Sequence, residues 1–242
     1  MTYVDRGKGP VILVAHGMSG GYDQGYEALR EKEEQYRILA PSRFGYLGSS
    51  VPADASSGAQ AAAFVELLNR LDIEKAYILG TSAGGTVAIR FTLDYPERTA
   101  GLILYSSASP MIEKPESYNE YQGLSAFLCN DFAMWLFRPL FRPIMGMDPD
   151  TIYGMLPVSA RSRGMQLDAT VVNPDMAKNY EQYPIEELKV PSLIIGARDD
   201  KVSDFQAMEQ SASRFPNCTV IAFENGGHMM YGHGEEIGCA LG

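Results

Sequence analysis

Gly80-Thr81-Ser82-Ala83-Gly84 fits the pattern Gly-x-Ser-x-Gly. Its small residues let a serine sit on a sharp strand-to-helix turn, where bulkier neighbours would clash. Such a turn lifts the hydroxyl clear of the strand and sets it beside a helix N-terminus, which favours developing negative charge. A serine hydroxyl is too weakly acidic to attack unaided, so a base must lie near it in space. The chain holds three histidines, His16, His228 and His233. His228 follows Asn225-Gly226-Gly227, and glycines there allow a loop sharp enough to aim an imidazole. His16 reads as a residue that holds its own loop, and His233 as part of a terminal helix. An acid to orient the base is offered by Gly196-Ala197-Arg198-Asp199-Asp200, which presents two neighbouring carboxylates. A tetrahedral intermediate would also need two backbone N–H donors, and Met18, in His16-Gly17-Met18, and Ala83 are placed to supply them.

These residues need elements to position them, and the sequence provides an alternation of short apolar runs and helical stretches. Val11 to Ala15 is continuously apolar, as a central strand buried on both faces would be. Tyr36 to Ala40 reads as a second strand, Ala76 to Gly80 as the strand that leads into Ser82, and Leu102 to Tyr105 as the next. Ser56 or Ser57 caps a helix over Ala59 to Leu71, where Phe64, Leu67, Leu68 and Leu71 recur at helical spacing. Further helices are expected over Gln24 to Gln35 and Ala83 to Tyr95. From Pro110 to Lys189 the strand rhythm stops. About 80 residues are too many for a loop within a compact domain, so a helical insertion is expected there. Its main amphipathic helix reads as Asn119 to Phe137, with Pro139, Pro143 and Pro149 barring a long continuation. The rhythm resumes with Ser192 to Gly196, a helix over Asp204 to Phe215, a strand over Thr219 to Phe223 and a short terminal helix. The expected division is therefore a core of residues 1–109 and 190–242 with a helical cap of 110–189.

Composition narrows the partners. The 242 residues can bury one substantial core. The formal net charge of −10 argues against nucleic acid or an anionic membrane surface, both of which call for a basic face. No apolar run approaches the ~18 residues of a spanning helix. The three cysteines show no metal-ligand spacing, so no metal is expected. With no leader-like start, a cytoplasmic protein is expected. Oligomeric state is not legible.

Taken together, the strand followed by His-Gly, the Gly-x-Ser-x-Gly turn, the Gly-x-x-Asp after a later strand and the terminal Gly-Gly-His resemble the α/β-hydrolase superfamily. The order Ser82, Asp199, His228 is that superfamily's order. The resemblance implies a doubly wound, mostly parallel sheet with an inserted helical cap, and Tyr95-Pro96-Glu97-Arg98 looks like its usual end to the helix after the nucleophile. It also implies that the superfamily's first strand is missing and that Thr2 to Arg6 supplies the second. It favours Asp199 over Asp200 as the acid, because the acid usually stands three residues after the glycine. The implied activity is a Ser-His-Asp hydrolase that cleaves a small apolar or aromatic ester-like substrate without a cofactor. Met134 and Trp135, from the Met- and aromatic-rich insertion, are the candidate pocket residues. The same three groups could instead serve carbon–carbon bond hydrolysis, amide cleavage, acyl transfer or a cofactor-free lyase. A ligand receptor on the same fold is the alternative outside enzymes.

Overall fold

A computed structural model describes residues 1–241. Its strands, β1 (Tyr3–Gly7), β2 (Val11–Ala15), β3 (Arg37–Pro41), β4 (Ala76–Thr81), β5 (Thr99–Tyr105), β6 (Ser192–Ala197) and β7 (Cys218–Phe223), form a seven-stranded sheet. Their order is β1-β3-β2-β4-β5-β6-β7, with only β1 antiparallel to its neighbour. Consecutive side chains point to opposite faces of a strand, and both faces of the central strands are covered. Leu13 and Ala15 of β2 join one core with Ile78, Leu102, Leu104 and Ile194, whereas Ile12 and Val14 join a second with Ile38, Leu79 and Ile103. The fold class expected from the alternation is borne out.

The helices α1 (Tyr22–Glu27), α2 (Ser57–Arg70) and α3 (Gly84–Asp94) follow β2, β3 and β4 in turn. Ser56 caps α2, its hydroxyl accepting from Ala59 N at 3.2 Å. Phe64, Leu67 and Leu68 of α2 and Val87, Ala88 and Phe91 of α3 fill the first core. The helix expected over Gln24 to Gln35 is shorter: α1 stops at Glu27 and a single tight turn, Arg30–Lys32, follows. The connection leaves β2 for β3 on one side and returns for β4 on the other. The loops after β2 and β4 therefore part at a topological switch point, where doubly wound sheets open a crevice.

Between β5 and β6 the chain first runs without regular structure over 106–125, and its main elements are then helical: α4 (Asp131–Met145), α5 (Pro149–Gly154), α6 (Ser162–Leu167), a π-helical turn Asp168–Val172, and α7 (Asp175–Lys178). The expected helix over Asn119 to Phe137 is displaced. Asn130 caps α4 by accepting from Ala133 N at 2.9 Å, and the helix runs through Pro139 and Pro143 before Gly146 ends it in a left-handed conformation. Both prolines are exposed, so the carbonyls they leave unpaired face water. Pro149 opens α5 at the position where a missing N–H costs nothing. Met134 and Phe141 turn inward to a small core with Met147, Ile152, Met155, Val158, Met165 and Tyr46. Phe132, Trp135, Leu136, Leu140 and Ile144 form an exposed apolar stripe on the other side. After β6 come α8 (Phe205–Ser211), capped by Asp204, and, beyond β7, α9 (Gly234–Ala240).

Candidate active site

Ser82 stands between β4 and α3 with φ 49°, a left-handed conformation that is strained for a residue bearing a Cβ. Surrounding glycines make room for it. A Cβ at Gly80 would lie 2.7 Å from Gly85 Cα and from Ala88 Cβ. One at Gly84 would overlap the Ala15 carbonyl oxygen, and one at Gly85 would overlap Ser107 Oγ. The start of α3 thus presses against the end of β2, and the two loops of the switch point meet. A Cβ at Gly17 would come within 3.0 Å of Ser82 Cβ, so the loop that carries Met18 lies directly against the serine. Among the described residues, neither the Met18 nor the Ala83 amide takes part in a turn, loop or side-chain hydrogen bond.

His228 is buried on a loop whose Gly226 and Gly227 have φ 123° and 62°, the left-handed region that their lack of a Cβ permits. Its Nδ1 lies 2.8 Å from Asp200 Oδ2, and the carboxylate can only accept, so Nδ1–H donates. The expectation that Asp199 orients this imidazole is corrected. Asp199 Oδ1 instead accepts from Gly227 N at 2.8 Å. The cause is a turn: Asp200 N bonds back to Ala197 O at 3.2 Å, which sends the two neighbouring side chains in different directions. Asp200 Oδ1 is pinned by Val202 N at 2.8 Å and Ser203 N at 3.1 Å, leaving Oδ2 for His228. The Asp-x-x-Ser run of residues 200–203 was the available signal, since an aspartate before a serine-ended turn bonds the backbone ahead of it.

Ser82 and His228 both follow the C-terminal ends of parallel strands, β4 and β7, and Tyr105 touches both of their loops. Ser82 N donates to Tyr105 O at 3.1 Å, while the Tyr105 hydroxyl reaches Met229 O at 3.4 Å, beside His228. Burial pushes that phenol up to about 12, which keeps it neutral. Among the described residues no hydrogen bond joins Ser82 Oγ to His228, a contact that in unliganded sites commonly tightens only with substrate. The other histidines are committed elsewhere. His16 has both ring nitrogens engaged, with Gly17 O and Arg43 N. His233 stacks on Phe223 at 4.0 Å and holds Asn225 O.

Met134 is buried in a core that the insert shares with Tyr46 and against which Met18 packs, and Trp135 is half exposed beside Phe132; no described contact joins either to Ser82 itself. Among the described residues there is no cluster of potential metal ligands and no helix long and apolar enough to cross a membrane. Arg43, Tyr46, Arg161 and Asp168 form buried polar contacts around the Met18 loop that no motif announced.

A serine on a strained turn, an imidazole bonded to a carboxylate and two amides without turn, loop or side-chain partners are the kinds of group that an acyl-transfer site uses. The chain is 26% identical to a 2-hydroxy-6-oxo-6-phenylhexa-2,4-dienoate hydrolase of Burkholderia cepacia, over 93% of this chain and 83% of that protein. It is 35% identical to an uncharacterized protein of Mycobacterium tuberculosis, over 93% of this chain and 72% of the relative. A thermophilic esterase from Thermogutta terrifontis superposes with a TM-score of 0.79 at 22% identity, over 99% of this chain and 90% of that one. With residues 5–237 matching the model of the alpha/beta hydrolase family, this chain belongs to that family.

Proposed function

We propose that this hydrolase cleaves an ester-like substrate through an acyl-enzyme, with Ser82 as nucleophile, His228 as base and Asp200 holding the base. The observation that carries the reading is the hydrogen-bonded His228–Asp200 pair, on loops at the C-terminal ends of the parallel strands, the end at which Ser82 sits on its strained turn. His228 Nε2 takes the Ser82 proton as Oγ attacks the carbonyl carbon. The Met18 and Ala83 N–H groups receive the oxyanion, and the start of α3 adds favourable potential. The imidazolium then protonates the departing alkoxide. Water, deprotonated by the same nitrogen, attacks the acyl-enzyme and frees Ser82. Asp200 keeps the Nδ1 proton in place and stabilises the charged imidazole. The helical insert serves as the cap over this end, and a small apolar or aromatic acyl group suits it.

The test is labelling of Ser82 by a fluorophosphonate together with multiple-turnover hydrolysis of p-nitrophenyl esters. Ser82→Ala is expected to abolish both while the protein stays folded. Near-wild-type turnover in that variant would remove the assignment. A second reading, hydrolysis of a carbon–carbon bond, is favoured by the dienoate hydrolase relative. It predicts faster turnover of a 2-hydroxy-6-oxo-dienoate than of any p-nitrophenyl ester.

A further inference from the structure

The proposed hydrolysis leaves Arg43, Asp168 and His16 without a chemical step, yet all three are buried side by side. Asp168 comes from the helical insert, 125 positions from Arg43. Arg43 Nη1 and Nη2 each donate to one oxygen of its carboxylate at 2.5 Å, and the Tyr46 hydroxyl donates to Oδ2, also at 2.5 Å. The guanidinium fork is thereby fixed in its plane. Arg43 Nε donates to the His16 carbonyl oxygen at 2.8 Å, and the Arg43 backbone N–H donates to His16 Nε2 at 2.9 Å. A backbone N–H cannot accept, so Nε2 is the acceptor and the ring proton resides on Nδ1.

That proton points at Gly17 O, 2.8 Å away, which also accepts from Gly20 N at 3.1 Å. Gly17 O and Met18 N–H belong to one trans peptide plane, so they point in opposite directions. Two donors holding the carbonyl from behind therefore aim the Met18 N–H away from His16. From the other end of the same loop, Arg161 of the insert holds Gly20 O and the Asp23 carboxylate, each at 2.6 Å.

We infer that Asp168 is a positioning residue for the reaction: through Arg43 and His16 it orients the Met18 N–H that receives the oxyanion. The insert then completes the oxyanion site as well as covering it. The inference rests on the serine-hydrolase reading. An asparagine at 168 would present one N–H pair to the guanidinium in place of an oxygen, loosening Arg43 and with it the His16 tautomer.

The experiment compares wild type and Asp168→Asn on p-nitrophenyl acetate, with active sites counted by fluorophosphonate titration. A trifluoromethyl ketone, whose hemiketal oxyanion would occupy the same amides, measures oxyanion binding directly. The expected loss in kcat per titrated site is roughly 10–100-fold, the range seen when a group behind a ligating residue is removed. KM is expected to change less than about threefold, and affinity for the ketone to fall in step with kcat. A purely structural role would lower the titre and leave kcat per site and ketone affinity unchanged, which overturns the inference. Tyr46→Phe keeps the ring and removes one hydrogen bond to Asp168; it is expected to move both readouts the same way by a smaller factor. If Asp168→Asn does not fold, wild-type values in folded Tyr46→Phe overturn the inference. Failure of the serine-hydrolase reading itself appears separately, as turnover in the wild type that survives Ser82→Ala or is absent altogether.

Discussion

Asp199 and Asp200 are adjacent carboxylates with opposite duties. Asp200 has its side chain 1% exposed and both of its oxygens engaged, Oδ1 by two backbone amides and Oδ2 by His228. Asp199 is exposed and braces the Gly227 amide at the base of the histidine loop. Asp200→Asn is expected to lower kcat by roughly 10⁴-fold, by analogy with the corresponding serine-protease change, because an amide there permits the wrong tautomer of His228. Asp199→Asn keeps an acceptor for Gly227 N and is expected to cost less than about tenfold. The check is kcat on a p-nitrophenyl ester for both purified variants, and the reverse ranking would return the orienting role to Asp199. Sequence pattern narrowed the acid to this pair, and the family-like spacing pointed to Asp199, whereas the structure brings Asp200 to His228. The choice is made by the Asp200 N to Ala197 O turn, which depends on where β6 stops.

At the scale of elements, α4 shows a helix held by its partners against its own propensity. Two internal prolines each remove a backbone hydrogen bond and crowd the preceding turn, an expensive pairing in an isolated helix. Packing of Met134, Phe141 and their neighbours against Tyr46, Met147 and Met165 offsets this, and the Asn130 cap with the Gly146 terminus marks the ends. Reading prolines as stops failed here because both lie on the solvent side, where water serves the freed carbonyls. Pro139→Ala restores a donor for the Trp135 carbonyl. It is expected to stabilise α4 by about 1–3 kcal/mol, seen as slower amide hydrogen exchange along 131–145. Unchanged exchange there would show that tertiary packing alone sets the stability of this helix. Met134 and Trp135, adjacent on it, were expected to share a pocket; at 100° per residue one turns into the insert's core and the other out of it.

At the scale of the molecule, the polar contacts around His16 tie the insert to the sheet and make stability depend on pH. Burial, and then the neighbouring Arg43 and Arg161 charges, hold the His16 pKa well below the usual imidazole value, although its bond to Gly17 O opposes them. The folded protein therefore keeps His16 neutral where the unfolded chain, titrating near ~6.5, takes up a proton. The unfolded state binds more protons below that value, so stability is fully present above pH ~6.5 and falls as the pH drops, by at most about 1.4 kcal/mol per pH unit. His16→Asn is expected to flatten this slope between about pH 6.5 and 5, where carboxylates with ordinary values remain largely ionised. The measurement is denaturant unfolding across that window; equal slopes in the two proteins would show that His16 is not its source.

What the sequence by itself determined is local. Continuous apolar runs marked the central strands, helical spacing marked α2, and the glycines around Ser82 and before His228 marked the two loops at the C-terminal ends of their strands. Those signals survive in one dimension because period and backbone freedom are properties of a few consecutive residues. The membership of the α/β-hydrolase family followed from their order along the chain. Only the tertiary structure decided which of two neighbouring aspartates meets His228, which side of α4 is covered, and that Asp168 closes on Arg43. Each of these depends on the angle of a turn or on a contact across 125 positions, and such a contact needs only one suitable side chain at each end, so it leaves no periodic trace in the sequence.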